Sequence, residues 1–384
     1  MLYHLLYSLH NIISSFNIFR YITFRSALAV LTSFLISLIL GPFVIKKLKE
    51  LKIGENIRKE DSARLAELQR NKQDTPTMGG ILILLAIISS TLLWADIFNR
   101  HIIIVLFSTI WLGITGFIDD YLKQINPVRS KSLETIIAPL MRTSNGVKKR
   151  SKGLTATAKL TSQIVLGLIL GTVFLLSFPD ITRLDFPFLK DFSKELDGLY
   201  IIFVILVIAG ASNAVNLTDG LDGLAIGIVV MVALAFSVLS YVSGHKIIST
   251  YLLIPYIQGS SELTVFCASI FGAGLGFLWF NCYPASIFMG DVGSLALGGA
   301  LGTVALLIKK ELLLVIVGGI FVIEALSVIL QVVSFRLTKK RIFKIAPLHH
   351  HFQFLNLPEN KVIVRFWIIA GLLALLAIIT LKIR

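Results

Sequence analysis

Charged side chains are scarce in this sequence. Lys, Arg, Asp and Glu make up 15% of its 384 residues, whereas 55% are hydrophobic and the mean hydropathy is +0.84. Because a water-soluble domain carries about 25% charged residues, this composition excludes an ordinary soluble protein. Cysteine is nearly absent as well. Cys267 and Cys282 are too few for a disulfide framework, and their apolar surroundings predict that both are inert packing residues.

Long apolar runs indicate that the chain crosses a membrane many times. A charge at the centre of a bilayer costs about 2.5–3.5 kcal/mol, so runs of nearly uncharged residues locate the spans. We predict an all-α polytopic integral membrane protein with about ten transmembrane helices. The predicted spans are Ser26 to Ile45, Met78 to Ala95, His101 to Ile118, Leu160 to Phe178, Leu199 to Asn216, Gly223 to Val242, Leu263 to Asn281, Val292 to Ile308, Leu312 to Phe335 and Phe366 to Leu381.

Positive charge is distributed unevenly between the two sides of these spans. A net charge of +14 would suggest a nucleic-acid partner in a soluble protein. Here 24 Lys or Arg residues fall in the segments after the odd-numbered spans, against 10 on the opposite side. By the positive-inside rule we predict that those segments are cytoplasmic and that both termini are periplasmic, with no nucleic-acid partner.

The predicted domain organisation is a single membrane-embedded domain over residues 1–384. Within it, residues 1–20 are predicted to form an amphipathic N-terminal segment. Residues 124–152 are predicted to form a basic cytoplasmic loop.

Five polar stretches follow the odd-numbered spans, so all five are predicted to lie on one face of the membrane. They are Lys72 with TPTMGG (Thr75 to Gly80), DDYLK (Asp119 to Lys123), NAVNLTDGLDGLA (Asn213 to Ala225), NCYPASIFMGDVGSLALGG (Asn281 to Gly299) and PLHHHF (Pro347 to Phe352). Caps and turns alone would be scattered over both faces. Their convergence therefore predicts a single site.

Carboxylates dominate these stretches. Asp119 and Asp120 follow a span directly, and because adjacent helical residues point about 100° apart, we expect that they do not face one ligand equally. Asp291 lies between two glycines in a long uncharged stretch, which favours a functional carboxylate over a helix cap. Nearby, Phe288 either packs in the core or stacks on a nucleobase.

The third stretch has two possible conformations. Asn216, Asp219 and Asp222 share a spacing of three, so they lie on one face if the segment is helical. If it is not, Gly220 and Gly223 predict a tight loop whose backbone approaches a ligand closely.

The three consecutive histidines resemble a metal tract, but their side chains diverge and no cysteine is near. We therefore expect one or two of His349, His350 and His351 to bind phosphate, with a purely structural hydrogen-bonded cluster as the alternative. Carboxylates without cysteine select a hard cation, and Mg²⁺ with substrate phosphates is the usual pairing. The residues thus predict magnesium-dependent phosphate chemistry at the cytoplasmic membrane surface.

Taken in order, the five stretches resemble the phospho-N-acetylmuramoyl-pentapeptide transferases, within the polyprenyl-phosphate N-acetylhexosamine-1-phosphate transferase superfamily. The resemblance covers the chain from about Leu28 to Arg384 and includes VIVRFWII near its C-terminus. It implies a homodimer of ten-helix subunits in the bacterial inner membrane. The reaction implied is transfer of phospho-MurNAc-pentapeptide from UDP-MurNAc-pentapeptide to undecaprenyl phosphate, with Mg²⁺ and with release of UMP. Its product is lipid I, in the first membrane step of peptidoglycan synthesis.

The resemblance also implies roles for individual residues. The catalytic residues it implies are Asp119, Asp120, Asp291 and His349. Asp291 would bind the metal, alone or with Asp119 or Asp219. The substrate-binding residues it implies are Lys72, Thr75, Lys123, Asn216, Asp219, Gly220, Leu221, Asp222, Asn281, Phe288, His350 and His351, with Asp222, Asn281 and Phe288 on the uracil.

Three other functions remain open at this point. A relative that transfers GlcNAc-1-phosphate would share the chemistry with a different sugar. A proton-coupled transporter would also need ionisable groups in the membrane, but it would place them near mid-bilayer, where Glu324 is the only clear carboxylate. A scaffolding role would not need an intact carboxylate set.

Overall fold

The structure, a computed structural model, describes residues 1–51, 72, 75–124, 153–178, 182–185 and 193–382. Apart from Gln124, the predicted basic loop 124–152 lies outside the described residues.

Helices make up nearly all of the described secondary structure. The α-helices are α1 (Leu2–Ser8), α2 (Ile22–Glu50), α3 (Gly80–Trp94), α4 (Arg100–Gln124), α5 (Ala156–Ser177), α6 (Tyr200–Thr218), α7 (Leu224–Ser243), α8 (Lys246–Leu252), α9 (Glu262–Asn281), α10 (Gly290–Leu307), α11 (Glu311–Val317), α12 (Gly319–Thr338), α13 (Leu348–Phe354) and α14 (Glu359–Ile379). Short 3₁₀ segments cover Leu9–Asn11, Ser14–Arg20, Asp197–Leu199 and Thr380–Lys382. Two three-residue strands, β1 (Arg183–Asp185) and β2 (Ser193–Glu195), pair antiparallel with Leu184 opposite Lys194.

The membrane-spanning character of the chain is confirmed. Among the described residues, nine helices are long and apolar enough to cross a bilayer, and α3, with 15 residues, is a shorter apolar helix. The ninth predicted span is two helices, α11 and α12, because the adjacent glycines Gly318 and Gly319 interrupt the helix. One cysteine differs from expectation: Cys267 is buried, but Cys282 is exposed because it lies in the turn that ends α9.

Helix α10 forms the centre of the bundle and packs against α4 and α6, while α9 packs against α2 and α7. Small residues allow the closest approaches around α10. A Cβ at Gly116 of α4 would lie 2.2 Å from the carbonyl oxygen of Asp291, and one at Gly80 of α3 would lie 2.1 Å from the amide nitrogen of Gly293. The start of α10 is therefore held directly against α3 and α4.

A buried ion pair joins three helices at the end of the bundle opposite the polar stretches. The Arg25 guanidinium, 2% exposed, donates to both carboxylate oxygens of Glu262 at 2.8 and 2.6 Å, and to the Trp94 carbonyl at 3.0 Å. The ring of Tyr3 lies 4.1 Å from the same guanidinium. This contact ties the 3₁₀ and helical segments of residues 1–20 to the bundle; their predicted amphipathic membrane role stays a prediction.

Removing one partner of this pair leaves the other charge buried without compensation, which costs about 3–5 kcal/mol. We expect Arg25→Met to lower the unfolding temperature in detergent, and Arg25→Met/Glu262→Met to recover much of the loss. The control is Arg20→Met, since Arg20 is exposed. Equal unfolding temperatures for Arg25→Met and Arg20→Met would contradict this role of the pair.

Candidate active site

Four helix ends meet where the acidic residues lie. Asp119 and Asp120 are in the last turns of α4, and Lys159 is in the first turn of α5. Asn216 is in the last turn of α6, and Asp291 is in the first turn of α10. These helix ends lie at one end of the bundle, so residues from distant parts of the sequence are brought together.

Three carboxylates converge at this end. One oxygen from each of Asp119, Asp120 and Asp291 lies within 4.8 Å of the others. Two lysines stand among them. Lys123 Nζ lies 2.6 Å from Asp119 Oδ2 and 3.2 Å from both Asp120 Oδ1 and Asp291 Oδ2, while Lys159 Nζ lies 2.6 Å from Asp119 Oδ2 and also contacts Asp291. The ammonium groups offset the repulsion among the carboxylates.

Neutral donors fix the orientation of each carboxylate. The backbone N–H of Leu154 donates to Asp119 Oδ1 at 2.7 Å, and that of Val292 donates to Asp120 Oδ2 at 3.1 Å. The expectation that Asp119 and Asp120 do not face one ligand equally stays a prediction. Each carboxylate has one oxygen held by a backbone amide, and both side chains reach the same acidic group despite their different directions on α4.

Asp291 does not cap its helix. Its Oδ1 accepts a hydrogen bond of 2.9 Å from Asn216 Nδ2, which also donates to Ser294 Oγ at 2.8 Å. Met289 occupies the N-cap position, and no side chain caps the helix. The alternative of a helix cap is therefore wrong for Asp291, and its role in a site stays a prediction.

The donor set suits a hard divalent cation. Among the described residues, no other group of three or more His, Cys, Asp or Glu side chains is gathered so closely. Asp119 Oδ2 is buried and has no hydrogen-bond partner among the described residues, although the ammonium groups of Lys123 and Lys159 each lie 2.6 Å from it. Carboxylate oxygens without sulfur or nitrogen ligands fit Mg²⁺. Asp219, which the resemblance offered as an alternative to Asp119 beside Asp291, is not part of this group and lies at the end of α6.

A second ionic cluster joins Lys72 to the loop after α6 and to the start of α14. Lys72 Nζ lies 2.6 Å from Asp222 Oδ1 and 2.6 Å from Glu359 Oε1. Burial disfavours the charged ammonium, yet the carboxylates of Glu359 and Asp222 raise the pKa of Lys72 above its ordinary value. Asp222 Oδ2 also accepts a hydrogen bond of 3.0 Å from the Ala285 N–H. Lys72 and Asp222 are thus held by each other.

The third stretch adopts the loop conformation that its glycines allow. Helix α6 ends at Thr218, and Gly223 has a positive φ of 77°, which favours glycine. Leu221 is buried, and a Cβ at Gly220 would lie 2.3 Å from His349 Nε2. Gly220 therefore allows the first histidine to approach the loop.

The TPTMGG segment runs along the turn before α10. The Phe288 N–H donates to the Pro76 carbonyl, and the Gly79 N–H donates to the Phe288 carbonyl, each at 2.8 Å. Thr75 is the first residue of this segment and is half-buried, as is the Phe288 side chain. These bonds fix the backbone of Phe288 beside the acidic group.

The Asn281 side chain hydrogen-bonds to the backbone of the same turn. Its Nδ2 donates to the Ile287 carbonyl at 2.7 Å, and its Oδ1 accepts a bond of 3.0 Å from the Gly223 N–H. Both polar atoms of this buried amide are thus engaged by the protein's own backbone. The described contacts make Asn281 a support for two loops, and its contact with uracil, implied by the resemblance, stays a prediction.

Each histidine has a hydrogen-bond partner within the described chain. His349 is buried, and its Nδ1 lies 3.1 Å from Glu324 Oε2. His350 Nδ1 lies 2.8 Å from Gln353 Oε1, and His351 Nδ1 accepts from the Lys344 N–H at 3.1 Å. Burial, with the neighbouring His349 and Lys72, lowers the pKa of His350 to about 3, so this imidazole is neutral at physiological pH. These contacts favour the structural cluster for the Nδ1 atoms.

Sequence reasoning missed Lys159 and Glu359, and it named Glu324 without a partner. Lys159 starts a span on the predicted cytoplasmic face, a signal that could have included it. Nothing local marks Glu359 as the partner of Lys72, which is 287 residues away. Lys152, the last residue of the predicted basic loop, lies outside the described residues.

Geometry and fold together define a class: a polytopic membrane protein with an acidic, lysine-rich site for phosphate chemistry where its spans end. The model of glycosyl transferase family 4 matches residues 102–309, and signature 1 of the phospho-N-acetylmuramoyl-pentapeptide-transferases matches residues 72–84. Three similar relatives are named phospho-N-acetylmuramoyl-pentapeptide-transferases. They come from Desulfatibacillum aliphaticivorans, Desulforapulum autotrophicum and Pelobacter propionicus, and they are 52%, 51% and 51% identical to this chain, each over 100% of both chains. The chain belongs to the phospho-N-acetylmuramoyl-pentapeptide-transferase family and is a transferase.

Gly290 tests the geometry of the acidic group. It has a φ of +73°, and a Cβ there would lie 2.5 Å from Asp120 Oδ2. We expect Gly290→Ala to displace Asp120 and to lower turnover by about 100-fold, since errors near 1 Å have effects of this size. Gly371→Ala is the matched control, because a Cβ at Gly371 meets nothing within 4 Å. Comparable turnover in the two variants would show that Gly290 does not hold Asp120 in place.

Proposed function

We propose that this transferase moves phospho-MurNAc-pentapeptide from UDP-MurNAc-pentapeptide to undecaprenyl phosphate, giving lipid I and UMP. Its support is the convergence of Asp119, Asp120 and Asp291 with two lysines at the ends of membrane spans, in a chain of this family. A site at a membrane boundary receives one substrate from water and one from the bilayer.

Asp291 and one carboxylate of the Asp119–Asp120 pair would hold Mg²⁺. When bound, the cation supplies charge neutralisation for the diphosphate of the donor. In the same proposal, the ammonium groups of Lys123 and Lys159 screen the repulsion between the two anionic substrates. A carboxylate of the Asp119–Asp120 pair orients the lipid phosphate and accepts its proton, and the lipid phosphate oxygen then attacks the sugar-bound phosphorus as UMP leaves.

The nucleotide is proposed to bind along the turn before α10. Phe288 offers a half-buried ring on a backbone fixed by the TPTMGG segment, which suits stacking on uracil. Asp219, Gly220 and Leu221 would contribute the adjacent loop, with Thr75 and Lys72 at its edge. The buried His349 would act on the substrate through Nε2, which has no hydrogen-bond partner among the described residues. His350 and His351 would border the same subsite.

The membrane arrangement proposed here follows the charge distribution. We place the site at the cytoplasmic face of the bacterial inner membrane, with ten spans, both termini periplasmic and two subunits in a homodimer. Transport lacks the support it would need, because the intraspan carboxylate Glu324 bonds to His349 at the same end as the rest of the site.

The deciding experiment measures UMP release by the purified protein in detergent. The donor is UDP-MurNAc-pentapeptide and the acceptor is undecaprenyl phosphate, with UDP-GlcNAc as the competing donor. We expect release from the muramoyl donor alone, dependent on the lipid, abolished by chelation and restored by Mg²⁺. Asp291→Asn should abolish release because the metal site and its ion pairs lose a carboxylate.

The other outcomes of this assay are equally informative. Release only from UDP-GlcNAc would retain the mechanism and change the sugar. Full activity of Asp291→Asn without added metal would refute the metal assignment. Release from neither donor would refute the proposed reaction.

Phe288 gives a separate prediction for nucleotide binding. Loss of base stacking costs about 1–3 kcal/mol, so Phe288→Ala should raise KM for the UDP donor by roughly 10-fold or more with a smaller change in kcat. Steady-state kinetics at saturating lipid would measure both. Trp279→Ala is the control, since Trp279 is a 69% exposed aromatic residue near the same end. An unchanged KM with a lowered kcat would contradict stacking.

A further inference from the structure

A row of polar side chains lies inside the bundle, one helical turn deeper than the acidic site. Its members are Thr115 of α4, Ser162 and Gln163 of α5, and Asn213 of α6, here called the polar belt. Each stands three or four residues from a residue of the site on the same helix: Thr115 from Asp119, Ser162 and Gln163 from Lys159, and Asn213 from Asn216. One turn of helix, about 5.4 Å, therefore separates the belt from the site.

The belt connects α5 to both of its neighbours. Thr115 Oγ1 and Ser162 Oγ lie 2.8 Å apart, and Trp111 Nε1 donates to Ser162 Oγ at 3.0 Å. On the adjacent residue, Gln163 Oε1 accepts a hydrogen bond of 2.8 Å from Asn213 Nδ2. Helix α5 is thus joined by polar contacts to α4 on one side and to α6 on the other, directly beneath Lys159.

The pairing of α5 with α6 continues below the belt through close contacts. A Cβ at Gly167 would lie 2.8 Å from Ile205 Cα, and one at Gly171 would lie 3.0 Å from Ile201 Cα. The contacts Gly171 to Ile201, Gly167 to Ile205 and Gln163 to Asn213 succeed one another along two antiparallel helices. Close packing of small residues holds the helices together, and the amide pair joins them at the end nearest the site.

Burying this amide pair costs free energy because one of its donors is unpaired. Gln163 is 1% exposed, and its Nε2 has no hydrogen-bond partner among the described residues. An apolar side chain would fill the same space without an unpaired donor, so packing alone does not explain a glutamine here. The need to position the neighbouring site residues explains it. The next turn of each helix presents Lys159 and Asn216 to the two carboxylate oxygens of Asp291.

We propose that Gln163 and Asn213 are positioning residues for the transfer reaction. Their hydrogen bond sets the register of α5 against α6, and this register places the Lys159 ammonium between Asp119 and Asp291. The inference rests on the proposed function. It assigns no contact with either substrate to Gln163 or Asn213.

The test compares near-isosteric variants of the pair in the UMP-release assay. We expect Gln163→Met and Asn213→Leu each to lower kcat by about 10- to 100-fold, because Lys159 and Asn216 shift relative to Asp291. KM for both substrates should stay within about twofold of the wild type. The exchanged pair Gln163→Asn/Asn213→Gln retains both amides and the total side-chain length, and it should recover most of kcat.

Thr161→Val is the matched control, since Thr161 lies on the same turn of α5, is exposed and bonds only to the Thr157 carbonyl among the described residues. A merely structural role would lower the unfolding temperature and leave kcat of the folded enzyme unchanged, which would overturn the proposal. Failure of the exchanged pair to recover kcat beyond the single variants would also overturn it. If the wild type released no UMP, the proposed function itself would fail, and that result is distinct from wild-type release with unaffected variants.

Discussion

Repulsion among three carboxylates is the constraint on which the rest of the site depends. Asp119, Asp120 and Asp291 bring one oxygen each within 4.8 Å in a part of the protein where Asp119 is completely buried. Like charges at such distances persist only if cations stand between them, and burial strengthens both the repulsion and the attraction. Lys123 and Lys159 supply those cations, so the arrangement of α4, α5 and α10 must place them accurately.

The packing of the bundle follows from this requirement. Gly116 and Gly80 bring α4 and α3 against the first turn of α10, which fixes the Asp291 backbone beside the Asp119–Asp120 pair. A separate network of Lys72, Asp222 and Glu359 ties the last helix, α14, to the loop after α6. The transfer chemistry and the nucleotide are thus proposed to use neighbouring clusters, each neutralised by its own ion pairs.

Much of the fold could be predicted because hydrophobicity along a helix is a local property. The predicted spans correspond closely to the observed helices, and the break between α11 and α12 was missed because glycine is tolerated inside apolar runs. The five polar stretches were recognised because carboxylates are costly near a bilayer. The positions of their side chains were harder to predict. Asp119 and Asp120 both reach the acidic group because the length of their side chains compensates for their angular separation on α4.

The sequence by itself determined which segments enter the membrane, which acidic motifs gather at one end and which family the chain resembles. Only the tertiary structure decided the partners. Lys159 meets Asp291 across 132 residues, Lys72 meets Glu359 across 287, and Gln163 meets Asn213 across 50. The physical reason is that burial of apolar residues is encoded residue by residue, whereas an ion pair or a hydrogen bond depends on how distant helices pack.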